Sequence, residues 1–196
     1  MATSTPIGGF KPLTGHCTCK TLTYELVAAP LIVHCCHCTW CQRETGSAFV
    51  LNAAIESTNF ILTSPFPDSH ILITTPSSSG QGQTIARCSK CFVAVYSYYA
   101  GAGSAVTFVR VGTLSEKDGS KDRVRPDVHI FTSSKMGWVD LSGEVERGAK
   151  VYEEYYVREE VWSPESLERR RVLAEKIEKE KGKEKREGDG SGLVES

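Results

Sequence analysis

No apolar run in this chain approaches the roughly 20 residues that a membrane-spanning helix needs. No sign of charge dominates either: 23 Lys and Arg stand against 24 Asp and Glu, a net charge of −1. Coating nucleic acid or an anionic membrane takes a basic excess, so neither is an expected partner. Met1 to Lys11 carry no apolar block behind a basic start, and the expectation is a cytoplasmic protein without a secretory leader. No segment before residue 163 keeps a helical period for three turns, and there is no internal repeat.

The chain has 196 residues, 40 % of them hydrophobic and 24 % charged, an ordinary globular composition. At roughly 100–200 residues per domain this is one domain and a tail, able to bury a sizeable core without cross-links. Thr21–Val27 alternates polar and apolar residues, as a half-buried strand does. Similar short runs are Leu31–Cys35, Ala48–Ile55, Asn59–Thr63, His70–Thr74, Thr84–Cys88, Phe92–Tyr98, Ala105–Val111 and Val128–Thr132. Clusters of Gly, Pro, Ser and Asp separate them, and Gly101–Ser104 reads as a hairpin turn. Residues 1–162 are therefore expected to form a mostly β domain.

Residues 163–196 differ in kind. Ser163-Pro164-Glu165 is a helix start, with Ser as N-cap and Pro at the first helical position. Nine basic and nine acidic residues follow Trp162, and the apolar stripe is thin. The expectation is a charged, solvated helix running into disorder, with docking of a protein partner as the alternative.

The eight cysteines set the chain apart. In a reducing compartment, clustered cysteines point to a metal before they point to disulfides. Cys17 and Cys19 with Cys88 and Cys91 supply two close pairs far apart in sequence, the make-up of a structural four-thiolate zinc site. Such a site would tie the N-terminal strand to the middle of the sheet. Cys36, Cys38 and Cys41 form a second group on one tight loop, and in extended chain Cys35 points away from Cys36. Three ligands with an open fourth position is how a catalytic zinc is held. Three alternatives stay open. Cys35 could close a second four-thiolate site, His34 or His37 could add an imidazole, or the cysteines could form a disulfide framework.

The pattern Gly15-His16-Cys17-Thr18-Cys19 followed by Tyr24, then Cys36-His37-Cys38-Thr39-Trp40-Cys41-Gln42-Arg43 with Gly46-Ser47, then Cys88-Ser89-Lys90-Cys91, then Pro126-Asp127-Val128-His129-Ile130 before Trp138, resembles the glutathione-dependent formaldehyde-activating enzyme family. The resemblance runs from about Gly15 to about Trp138 and implies a compact, tent-like β fold with two zinc sites. It implies that Cys17, Cys19, Cys88 and Cys91 hold a structural zinc and that Cys36, Cys38 and Cys41 hold a catalytic one. It also implies glutathione as a co-substrate. Two departures stand out. Phe92 follows Cys91 where the family has Gly, so this turn is expected to adopt a different backbone conformation, and Cys35 is an extra thiol.

The expected function is a zinc-dependent carbon–sulfur lyase-like enzyme acting on a glutathione or other thiol adduct of a small molecule. One alternative is a pathway-specific Lewis-acid zinc enzyme (isomerisation, elimination or hydrolysis) on an oxygenated metabolite. Another is a non-catalytic zinc module that binds a protein. His129 is the candidate proton-transfer group, against a plainer reading as a packed histidine. Arg43 is the candidate partner for a substrate carboxylate, against a surface salt bridge. His37, between two proposed ligands, is read as pointing away from the metal. Trp40, Tyr98, Tyr99 and Trp138 are read as core, and Tyr152, Tyr155, Tyr156 and Trp162 as packing the final segment onto the body.

Overall fold

A computed structural model describes residues 9–77, 80, 82–99 and 103–189, with side chains to residue 179. The chain divides into two compact units, residues 1–162 and 163–196.

The first unit is built on two sheets. The smaller has the order β1-β2-β5, formed by β1 (Leu13–His16), β2 (Thr23–Leu26) and β5 (Phe60–Leu62). The larger has eight strands: β3 (Ile32–Cys36), β4 (Val50–Glu56), β6 (His70–Thr75), β7 (Gln83–Cys88), β8 (Ala94–Tyr99), β9 (Val106–Arg110), β10 (Val128–Ile130) and β11 (Lys150–Val151). Its order is β11-β10-β3-β4-β9-β8-β7-β6. Pairing is antiparallel from β3 through β6, whereas β10 runs parallel to both β3 and β11. All nine strands expected from alternation are present, with ends that shift by at most two residues.

The core mixes both sheets. Leu13, Tyr24, Leu26 and Phe60 from the small sheet pack in one cluster with Val33, Ala53, Ile55, Val95 and Val109 from the large one. One glycine explains part of the sequence pattern. Gly15 and Tyr24 are direct partners in the β1–β2 register. A Cβ at Gly15 would lie 2.1 Å from Tyr24 Cζ, so the buried Tyr24 ring occupies the space a side chain would need. The ring is held there by its hydroxyl, 2.7 Å from Thr113 Oγ1.

Between β3 and β4 lies α1 (Thr39–Thr45), a helix of two turns. Cys38 is its N-cap, and Gly46 ends it in the left-handed conformation at φ 63°, donating its N–H to the Gln42 carbonyl. Two short helices follow, α2 (Ser142–Glu146) and α3 (Arg158–Val161). Of the aromatic group near the end of this unit, Tyr156 is buried as expected, whereas Tyr155 is 57 % exposed. Tyr155 and Tyr156 stack at 4.7 Å, and Trp162 Nε1 donates to the Tyr156 hydroxyl at 2.8 Å.

The second unit is α4 (Pro164–Asp189), capped by Ser163, whose hydroxyl accepts from the Ser166 N–H at 3.1 Å. The last residues of the tail, and Gly101 and Ala102 of the expected Gly101–Ser104 turn, lie outside the described residues, and Gly103–Ala105 form a short 3-10 turn. Among the described residues no helix is long and apolar enough to cross a membrane.

Candidate metal centres and the adjoining cleft

The cysteines gather as the topology dictates. Cys17 follows β1, and Lys20 N–H closes the turn onto the Cys17 carbonyl at 3.0 Å. Cys88 ends β7, and Phe92 N–H closes the matching turn onto the Cys88 carbonyl at 3.0 Å. These two knuckles bring Cys17, Cys19, Cys88 and Cys91 together, with all four sulfurs within 4.8 Å of one another. The Cys17–Cys19 and Cys19–Cys88 sulfur separations are 3.6 and 3.5 Å. A disulfide needs about 2.05 Å. Four thiolates about 2.3 Å from one tetrahedral ion stand roughly 3.8 Å apart, so the group fits a zinc-sized cation. The Leu22 and Lys90 N–H groups donate to Cys17 Sγ and Cys88 Sγ, as they would to thiolates. Burial pushes the Cys17 thiol up to about 12, while the neighbouring Thr21 hydroxyl pulls Cys19 down to about 6.

The knuckles depart from expectation twice. They join the small sheet to β7, which is next to the edge of the large sheet rather than in its middle. Phe92, expected to take another conformation for want of a glycine, sits in the left-handed region at φ 58°. The closing hydrogen bond to Cys88 demands that conformation, and the exposed ring is no obstacle to it.

Cys36, Cys38 and Cys41 form the second group, again with sulfurs within 4.8 Å of one another. No imidazole joins them within that radius. His34 is instead engaged by Tyr156, with Nε2 2.5 Å from the hydroxyl. All eight cysteines are free thiols. Cys36 is the last residue of β3, and Cys38 and Cys41 belong to the cap and first turn of α1. The Cys41 N–H donates to Cys38 Sγ at 3.4 Å. The Cys36 and Cys41 thiols and these amides hold Cys38 well below the usual thiol range.

The loop between the ligands is pinned through His37. Its N–H donates to the Ile130 carbonyl at 3.0 Å, and its carbonyl accepts from Gln42 Nε2 at 2.7 Å and from Ser134 Oγ at 3.1 Å. Its ring points away from the three sulfurs and packs against Phe49 and His129. His129 is buried on that same side, with Nδ1 3.0 Å from His37 Nε2 and Nε2 3.4 Å from Glu144 Oε2. Burial lowers its affinity for a proton despite the carboxylate. Cys35, His37 and His129 make a third group of ligating atoms within 4.8 Å.

A cleft of about 370 Å³ opens beside α1, walled by Glu44, Phe49, Val50, Phe92, Arg87 and Arg110 among others. Neither the three sulfurs nor His129 lines it. Val50 pairs with Cys36 across β3 and β4, and Glu44 lies one helical turn beyond Cys41. Arg110, only 6 % exposed, donates to Asn52 Oδ1 at 2.7 Å and to Glu44 Oε2 at 2.8 Å. Arg87 donates to the other Glu44 oxygen at 2.5 Å. Two guanidinium groups thus share one carboxylate, leaving net positive charge at the wall. Arg43 is exposed in the last turn of α1 and makes no ion pair among the described residues. Sequence reasoning missed Glu44, Arg87 and Arg110. The signal was an arginine ending the apolar run of β9.

Two aromatic residues read as core are on the surface: Trp138 is 76 % exposed and Trp40 41 %. Tyr98 packs against the core cluster, and Tyr99 meets Phe108 edge-on at 4.8 Å.

The fold and its cysteine groups define a small β protein able to hold metal on thiolates. Residues 12–134 match the sequence model of the glutathione-dependent formaldehyde-activating enzyme family, and the chain belongs to that family. No curated protein matches the chain. Among solved structures, a Rhodobacter sphaeroides protein aligns with 15 % identity and a TM-score of 0.39, over 54 % of this chain and 93 % of that one.

Proposed function

We propose that this chain is a zinc-dependent carbon–sulfur lyase-like enzyme acting on a glutathione or other thiol adduct of a small molecule. One observation carries the reading: Cys36, Cys38 and Cys41 converge with no His, Asp, Glu or further Cys joining them among the described residues, beside a cleft with an arginine pair in its wall. Cys17, Cys19, Cys88 and Cys91 are assigned to a structural zinc, and Cys36, Cys38 and Cys41 to the catalytic one. A zinc ion held by these three cysteines would supply a Lewis-acidic fourth position that favours the ionised form of a substrate thiol.

The chain's own residues do the rest. Arg87 and Arg110, paired with one Glu44 carboxylate, leave net positive charge at the wall, which favours the carboxylates of a glutathione-like substrate. The exposed Arg43 offers a further cation on α1. Phe49, Val50 and Phe92 give the cleft apolar walls suited to the apolar part of an adduct. Gln42, through the His37 carbonyl, fixes the spacing of Cys36 and Cys38.

The test is the exchange between formaldehyde plus glutathione and their hydroxymethyl adduct, followed by exchange NMR on zinc-loaded protein. Wild type is expected to accelerate the exchange and Cys38→Ser to lose the acceleration while staying folded. Zinc-loaded wild type without acceleration, or full activity in Cys38→Ser, would overturn the reading.

A further inference from the structure

Side chains alternate along β3 and into its loop, so Cys35 and His37 project from the face opposite Cys36 and Cys38. β10 runs parallel to β3 with His129 directly partnered to Cys35. The register brings a thiol and two imidazoles into one buried spot: Cys35, His37 and His129 are 1, 0 and 3 % exposed. Cys35 Sγ lies 3.5 Å from His37 Nε2, and that nitrogen lies 3.0 Å from His129 Nδ1.

A hydrogen-bonded chain from Glu144 through His129 to His37 leaves the Cys35 thiol over. Glu144 faces His129 Nε2, so that nitrogen carries the proton and His129 Nδ1 presents its lone pair. His37 Nε2–H then donates to His129, and the Cys35 thiol is left without an acceptor in the group. If His37 Nε2 instead takes the thiol proton, it opposes the His129 lone pair. A cation between the three atoms lets each of them present a lone pair, with the His37 proton on Nδ1, a buried nitrogen that has no hydrogen-bond partner. The spacing fits such an ion. With zinc–nitrogen bonds of about 2.0 Å and a zinc–sulfur bond of about 2.3 Å, tetrahedral edges are roughly 3.3 Å for nitrogen–nitrogen and 3.5 Å for sulfur–nitrogen. The outer partner is also in place. A metal-bound histidine commonly donates its other N–H to a carboxylate, and Glu144 stands there, itself paired with Arg147.

We propose that Cys35, His37 and His129 form a third metal site that takes a zinc ion on one thiolate and two neutral imidazoles, with Glu144 orienting His129. Binding releases the Cys35 thiol proton to solvent. The site has three protein donors, all buried, and leaves its fourth position to a small ligand such as water. It fastens β10 to β3 and clamps the loop from the side opposite the Cys36–Cys38–Cys41 group. The site does not depend on the function proposed above.

Native mass spectrometry of the full chain, stripped by a chelator and reloaded with a zinc salt alone, counts the ions. Wild type is expected to hold three, and Cys35→Ala one fewer than wild type. Equal counts in those two proteins overturn the proposal. Cys38→Ser separates the two readings, because its ion is lost whether or not the third site exists. Should Cys35→Ala fail to fold, Glu144→Gln keeps all three donors. It is expected to weaken retention of one ion against a competing chelator by about 10–100-fold. Unchanged retention of every ion in that variant also overturns the proposal.

Discussion

Lys20 and Phe92 share one backbone conformation: each sits at φ 58°, one residue past the second cysteine of its own knuckle. Each closes its turn with an N–H bond back to the first cysteine's carbonyl, at 3.0 Å in both cases. The two halves of the four-thiolate group therefore share a left-handed closing residue, although one closes a Cys-x-Cys turn after a strand of the small sheet and the other a Cys-x-x-Cys turn after a strand of the large one. A left-handed conformation costs a residue with a Cβ roughly 1–2 kcal/mol, which glycine escapes.

Phe92→Gly is accordingly expected to stabilise the protein by about 1 kcal/mol, since the ring is 59 % exposed and little packing is lost. Urea denaturation of the zinc-loaded protein checks this through a higher midpoint. Because Phe92 also walls the cleft, KM for a thiol adduct is expected to rise in the same variant.

Gly15→Ala is expected to destabilise by about 1–3 kcal/mol through overpacking against Tyr24. Tyr24→Leu, which removes the ring atoms that crowd the new Cβ, should recover part of that loss in the double variant. A thermodynamic cycle from denaturant curves measures the recovery, and strict additivity would contradict the contact.

These two positions also show what could be read in advance. The alternating strands were legible because a half-buried strand writes its period into the sequence. β1 was not: it is four residues long, and Gly15 hides its pattern while answering to a ring on the next strand. The grouping of Cys17 and Cys19 with Cys88 and Cys91 followed from spacing alone. α1, at seven residues, is too short to display a helical period. Arg87, Arg110 and Glu44 come from three different elements, and only the β7–β8–β9–β4 order brings them to one wall.

Glu44 is the hub of that wall. Glu44→Gln leaves the buried Arg110 without its counter-charge and is expected to cost about 3 kcal/mol in stability. Arg87→Ala, at a more exposed partner, is expected to cost less than 1 kcal/mol and to raise KM for a carboxylate-bearing adduct with kcat little changed. Denaturant curves and steady-state kinetics on the two variants separate the hub from the substrate contact.

Acid should weaken the fold through His34. Burial lowers its affinity for a proton to about 4, against about 6.5 in an unfolded chain. Between those values the unfolded state binds more protons. The contribution of His34 is therefore whole above pH 6.5 and lost as pH falls toward 4, at up to about 1.4 kcal/mol per pH unit. His34→Gln is expected to flatten the stability profile across that window, and an unchanged slope would contradict it.

The central claim is that Cys36, Cys38 and Cys41 hold an ion whose remaining position is open to a thiol. Glutathione titrated into the cobalt-substituted protein, followed by visible absorption, tests it most directly. A saturable spectral change in wild type that disappears in Cys38→Ser is the predicted result. A cobalt spectrum that stays fixed at saturating glutathione would contradict the claim.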